Sequence, residues 1–269
     1  MSPSHSHQPG EFVARDTARS RALRSAESLL VGLGARPAPA ARDEDAAAVR
    51  SLDALLAQTT RAARHTCGSV RAYASLIADG YGAESNAACW AAKIERTASD
   101  LEEFASRLGT LRVCESERPS AMRWGDTLAR VAARVGSLGV CTIEVVDRTD
   151  APFRQRAELL GRVLFQVLRN AVEASPRRGM VRVRADEIRI DGARAVHLRI
   201  TDTGEGMGRG EAVDRLWKPF VSTKPGHAGL GLAYVAACAP TLNIVNGVRG
   251  ETSGTTIHTV VFEQGDLTW

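Results

Sequence analysis

Glycines confine the stretch from Arg199 to Leu232 more tightly than any other part of this chain. An alternation of apolar residues (Val196, Leu198, Ile200) predicts a strand that delivers Asp202 into the turn Asp202-Thr203-Gly204-Glu205-Gly206-Met207. A second turn, Gly229-Leu230-Gly231-Leu232, follows, with Lys224 shortly before it. Glycines at this spacing let the backbone approach a ligand closely and present N–H groups to phosphate, best of all at a helix start. Asp202 is an acceptor-only carboxylate, suited to an exocyclic amine such as that of adenine. Taken alone, each turn also reads as a plain turn.

Four features in one order say more. Asn170 lies on an apolar-striped helix (Leu164–Ser175), then come Asp202, the segment Phe220–Lys224, and the pair Gly229 and Gly231. That order resembles the ATP-binding domain shared by gyrase, MutL and the two-component histidine kinases. Within that group, WKPFVSTK followed by GLGLA is most similar to the nitrogen-regulation type of sensor histidine kinase. The resemblance runs from about Ala121 to Phe262 and implies ATP and Mg²⁺ as ligands. The family's metal-binding asparagine, in its N-x-x-x-N-A helix, falls on Asn170. The first member of that pair is Gln166, an amide on a longer arm, so the implied metal set is Asn170 with Gln166. The resemblance puts Asp202 and Thr255 near the adenine, Lys224 on phosphate, and Phe220 under the lid that closes over the nucleotide. Gly204, Gly206, Gly229 and Gly231 would allow the close approach. Two departures stand out: His227-Ala228 precedes Gly229 where the family has another glycine, with Gly226 beside it, and Ala239-Pro240-Thr241 replaces a common His-Gly-Gly.

Upstream, Asp43 can cap a long helix, with Glu44 and Asp45 in its first turn. Val49, Leu52, Leu55, Leu56, Thr59, Ala63 and Val70 recur at three- and four-residue steps as far as Asp79-Gly80. A second helix from about Glu84 to Val113 stripes Ile94, Leu101, Phe104 and Leu108. Two such helices have too little core alone, so the pattern predicts a homodimeric four-helix bundle. This matches the dimerisation and phosphotransfer hairpin that precedes the ATP domain in sensor kinases.

The family's phosphoacceptor column falls on Arg61, anchoring on Arg71–Leu76. An arginine stays protonated and offers no nucleophilic lone pair. His65, the only histidine on this helix, lies one turn further on. Two readings stay open. His65 is a shifted catalytic acceptor, or it is an ordinary histidine in a degenerate hairpin.

The expected fold is therefore α+β: a helical hairpin over residues 43–118 followed by an α/β-sandwich ATP-binding domain over 119–269. Residues 1–42 read as a flexible segment, with a disordered start at Met1–Gln8, a short helical pattern at Glu11–Leu33 and a proline-bearing linker at Ala35–Arg42. The 269 residues are 44% hydrophobic and only 5% aromatic, so aliphatic side chains must fill the core. Almost all the basic residues are arginines (the lysines are Lys93, Lys218 and Lys224), neither clustered nor interleaved with aromatics, which argues against nucleic acid as a partner. Five cysteines, an odd number without a C-x-x-C pair, argue against a disulfide framework or zinc site and fit a reducing cytoplasm. No apolar run approaches a membrane span, and no signal-peptide core is present.

The leading functional reading is a soluble histidine protein kinase that binds ATP-Mg²⁺ and phosphorylates a histidine. It would then pass the phosphoryl group to a receiver domain on another chain. The alternative is a pseudokinase or scaffold that binds nucleotide and a regulatory partner without making phosphohistidine. A serine-kinase anti-sigma factor would share the ATP fold but not the long hairpin.

Overall fold

The computed structural model describes residues 9–39, 43–81, 85–109, 117–137, 141–206, 215–218, 221–222, 229–250 and 253–265. The chain forms two compact units, one of Asp43–Cys114 and one that joins Met1–Arg42 to Glu115–Trp269.

The first of these is the hairpin, with α2 (Asp43–Gly80) and α3 (Asn86–Gly109) packed together. Small residues make the seam: Thr60, Cys67 and Ala74 on α2 and Ala91 and Ala98 on α3 are buried, each series at heptad spacing. Larger apolar groups stay outside the seam, with Val70, Tyr73, Leu76, Ile77, Trp90, Ile94 and Leu101 all exposed. The side chains of Leu52, Leu55, Leu56, Phe104 and Leu108 lie outside the described residues.

The second unit is built on a six-stranded mixed sheet. Its strands are β1 (Arg36–Pro37), β3 (Thr142–Arg148), β5 (Met180–Ile190), β6 (Ala193–Asp202), β7 (Ile244–Gly250) and β8 (Thr255–Phe262), in the order β1-β7-β8-β6-β5-β3. Only β3–β5 pair in parallel; the rest are antiparallel. A second small sheet pairs β2 (Ser120–Met122) with β4 (Phe153–Gln155). Three helices pack together beside the main sheet: α4 (Trp124–Gly136), α5 (Ala157–Ala174) and α6 (Gly231–Leu242).

The apolar period of α5 explains its central place. Leu159, Leu160, Val163, Leu164, Val167, Leu168, Ala171 and Val172 are all buried. Each fully buried Leu or Val contributes on the order of 1.5–3 kcal/mol. The helix starts where Glu117 receives the free N–H groups of Glu158 (2.8 Å) and Leu159 (2.9 Å), a carboxylate at the positive end of the dipole.

The N-terminal segment differs from the linker that its prolines suggest. Helix α1 (Pro9–Gly32) ends in a left-handed Gly34 (φ +74°), and Arg36 and Pro37 then pair with Val248 and Gly247 of β7. Pro37 lacks an N–H, and an edge strand tolerates that. Ala22, Ala26, Leu30 and Ala35 pack on Ala193, Ala195, Val245, Val260 and Phe262. Side chains alternate along a strand, so α1 covers the face of the sheet opposite to that of Leu198 and Ile200.

Further along the same face, His197 and His258 are buried and stacked, with Nε2 of the first 3.1 Å from Nδ1 of the second. Burial first, and then the positive charge of Arg199 (for His258, also the partner imidazole), push both pKa values down from 6.5 to about 4. Their folded-state values lie below the unfolded ones, so the stability they contribute is complete above about 6.5 and is lost as the pH falls toward 4. Thermal unfolding followed across that window should show a falling midpoint, with a shallower slope in His197→Gln. A midpoint independent of pH would contradict the neutral pair.

Candidate functional site

The site begins at the end of β6, where the strand alternation buries Asp202 to 7% exposure. Its Oδ1 accepts the backbone N–H of Gly204 at 2.9 Å and that of Thr255 at 3.2 Å. Two donors on one oxygen fix the plane of the carboxylate. The turn after β6 and the turn before β8 are joined by a bond from Gly254 N–H to the Gly204 carbonyl, 2.7 Å. Gly254 is required here: its φ is +86°, and an added Cβ would run into the carbonyl of Asp202. Gly204 lies against the end of α5, with an ideal Cβ position 2.5 Å from the Ala174 carbonyl. Thr203 anchors the same turn to β5 by accepting the N–H of Met180 at 3.0 Å.

The second half of the site lies between α5 and α6. Gln166 and Asn170 are four residues apart and so share one face of α5. Gly231, the first residue of α6, sits directly against both amides. A Cβ there would lie 3.3 Å from Nδ2 of Asn170 and 3.5 Å from both its Oδ1 and the Oε1 of Gln166. Gln166 is 1% exposed, and its Oε1 has no hydrogen-bond partner among the described residues. A buried carbonyl left unpaired is costly, which suits an oxygen reserved for a ligand. Two neutral amide oxygens side by side are hard donors of the kind Mg²⁺ takes, without a charge that would repel phosphate. Among the described residues no group of three His, Cys, Asp or Glu is placed to hold a metal.

Asn170, Gln166, Asp202, Gly204, Gly231 and Thr255 thus belong to one unit, at neighbouring ends of α5, β6 and α6 and at the start of β8. Gly206 (φ +77°) follows in the first turn, and Gly229 (φ +64°) precedes α6, against the backbone of Val221. Phe220 and Lys224 lie outside the described residues. Trp217, from the same run, is buried. His65 is exposed on α2 in the hairpin unit, where its carbonyl accepts the hydroxyl of Ser69 at 3.2 Å. Thr255 reaches Asp202 through its main-chain N–H. Gly254 and the Ala174 carbonyl were not anticipated, although the pair Gly254-Thr255 at a strand start was a readable signal.

The contact at Gly231 gives a modest test. Gly231→Ala forces the amides to yield by a few tenths of an ångström, and nucleotide affinity should fall about threefold. Calorimetry with Mg²⁺ present checks this, and an unchanged constant would separate Gly231 from the site.

Residues 155–264 match the family model described as histidine kinase-, DNA gyrase B- and HSP90-like ATPase. Among solved structures, full-length ShkA in complex with AMPPNP is 22% identical, with a TM-score of 0.58, over 78% of this chain and 46% of its own. The chain therefore spans less than half the length of that protein. The Acinetobacter baumannii histidine kinase AdeS is 18% identical, with a TM-score of 0.52, over 75% of this chain and 97% of its own. At these identities the likeness establishes the fold. No curated protein matches the sequence. Among the described residues, no helix is long and apolar enough to cross a membrane.

Proposed function

We propose that this chain is a histidine-kinase-like signalling protein that binds ATP with Mg²⁺, phosphorylates His65 and passes the phosphoryl group to a receiver domain on another chain. The observation that carries the reading is the joint placement of a fixed Asp202 carboxylate and the Gln166 and Asn170 amides, in a domain of an ATPase family. Asp202 takes the adenine amine, with Thr255 and Gly204 holding the carboxylate in place. The N-terminus of α6, opened by Gly229 and Gly231, and Lys224 receive the phosphates. Asn170 and Gln166 would hold the cation, which when bound offsets phosphate charge.

In the transfer, a neutral ring nitrogen of His65 forms a bond to the γ-phosphorus in line with the bond to the β–γ bridging oxygen. That bond breaks, ADP leaves with its electron pair, and the ring proton passes to water. Incubation with γ-labelled ATP and Mg²⁺ should yield acid-labile, alkali-stable phosphate on the protein. A specific observation favours a second reading, since Arg61 occupies the usual acceptor column. In that case the chain binds nucleotide and a regulatory partner, and no phosphohistidine forms.

The exposed hairpin residues suit a homodimer. Ile77 and Ile94 are 41% and 42% exposed and border a seam of small residues that leaves them uncovered. The full chain of 28.8 kDa should sediment as a dimer, and Ile77→Arg with Ile94→Arg should shift it toward monomer. A monomeric wild type at micromolar concentration would remove the bundle.

A further inference from the structure

The N-terminal segment is held to the main sheet and to α6 by more than apolar packing. Nη2 of Arg19 on α1 donates to Oδ1 of Asn243 at 2.6 Å and to the carbonyl of Pro240 at 3.2 Å. Both acceptors lie at the C-terminal end of α6, where Asn243 is the left-handed cap (φ 50°, ψ 55°). A guanidinium there meets the negative end of the helix dipole. The other end of the segment is fitted as closely. An ideal Cβ on Gly247 would lie 3.1 Å from Cδ1 of Leu30, 3.2 Å from the Arg36 carbonyl and 3.4 Å from Cβ of Ala35. Gly247 is thus the notch that admits the corner between α1 and β1, and the Ala38 N–H closes it by donating to the Asn246 carbonyl at 2.7 Å.

From this geometry we infer that residues 18–37 form a strap that sets the position of α6, with Arg19 as a positioning residue. The far end of α6 begins on the amides of Asn170 and Gln166, so docking of the strap and occupation of the nucleotide site are coupled through one helix. The coupling to nucleotide rests on the function proposed above; the hold on α6 does not. Coupling of this kind is reciprocal. A docked strap raises nucleotide affinity, and bound nucleotide steadies the strap.

Hydrogen exchange on the full chain tests both directions. Arg19→Ala should speed exchange in residues 236–243 at least fivefold while leaving the β5–β6 pairing unchanged, and it should weaken AMPPNP binding about threefold. Arg19→Lys, which keeps the charge at the helix end, should recover part of each effect. Gly247→Val, which blocks the notch, should speed exchange in both α1 and α6. Saturating Mg²⁺-AMPPNP should slow exchange in α1 of the wild type, a response that a merely structural contact would not give. If residues 236–243 exchange at wild-type rates in Arg19→Ala and in Gly247→Val, the strap does not hold α6 and the inference is overturned. If α6 responds but AMPPNP binds and leaves α1 unchanged, the coupling to nucleotide is overturned. A wild type that binds no AMPPNP sinks the nucleotide reading, and the exchange of α6 in the two variants still decides the hold of the strap.

Discussion

Asp202→Asn lowers ATP affinity at least tenfold, about 1.4 kcal/mol, with little loss of stability. Asparagine keeps one carbonyl oxygen for the N–H groups of Gly204 and Thr255, so the two turns stay joined. It also removes the negative charge and turns the second acceptor into a donor, which repels the amine of adenine. Calorimetry and thermal unfolding on the same variant separate binding from folding. An unchanged affinity would remove Asp202 from the site. Collapse of the fold would show that its role is to pin Gly204 and Thr255.

His65→Ala abolishes acid-labile phosphate and leaves nucleotide affinity at the wild-type value. Among the described residues of the hairpin, His65 is the only imidazole, and it is exposed. His197 and His258 are buried on the main sheet with pKa values near 4, occupied with each other and shielded from solvent. Labelling that survives His65→Ala would place the acceptor elsewhere. An unlabelled wild type, in the presence of bound nucleotide, would support the scaffold reading that Arg61 suggests.

Periodicity made much of this molecule legible in the sequence. The stripe Leu159, Leu160, Val163, Leu164, Val167 and Leu168 is a helix pattern, and Val196, Leu198 and Ile200 alternate as a half-buried strand does. Asp202 and Gly204 stood out because a carboxylate and a glycine interrupt that alternation at its end. Strand β7 was hidden for the opposite reason. Asn246 and Gly247 break its apolar run, yet both are buried: Asn246 accepts the hydroxyl of Thr259 at 2.9 Å, and Gly247 admits Leu30. The strap was hidden because Ala22 and Ala26 mark a helix without marking what it packs on, and because two prolines near Arg36 read as linker. Arg19 carried no signal at all, since its partners are a backbone carbonyl and a cap 221 and 224 residues away.

Gln166, Asn170, Asp202 and Gly231 are proposed to form one Mg²⁺-dependent nucleotide site. Titration of the wild-type chain with AMPPNP in a calorimeter, with Mg²⁺ and then with a chelator, measures this without requiring phosphotransfer. The predicted result is saturable binding of one nucleotide per chain that weakens at least tenfold when the cation is removed. Absence of binding in Mg²⁺, or an affinity indifferent to the chelator, would contradict it.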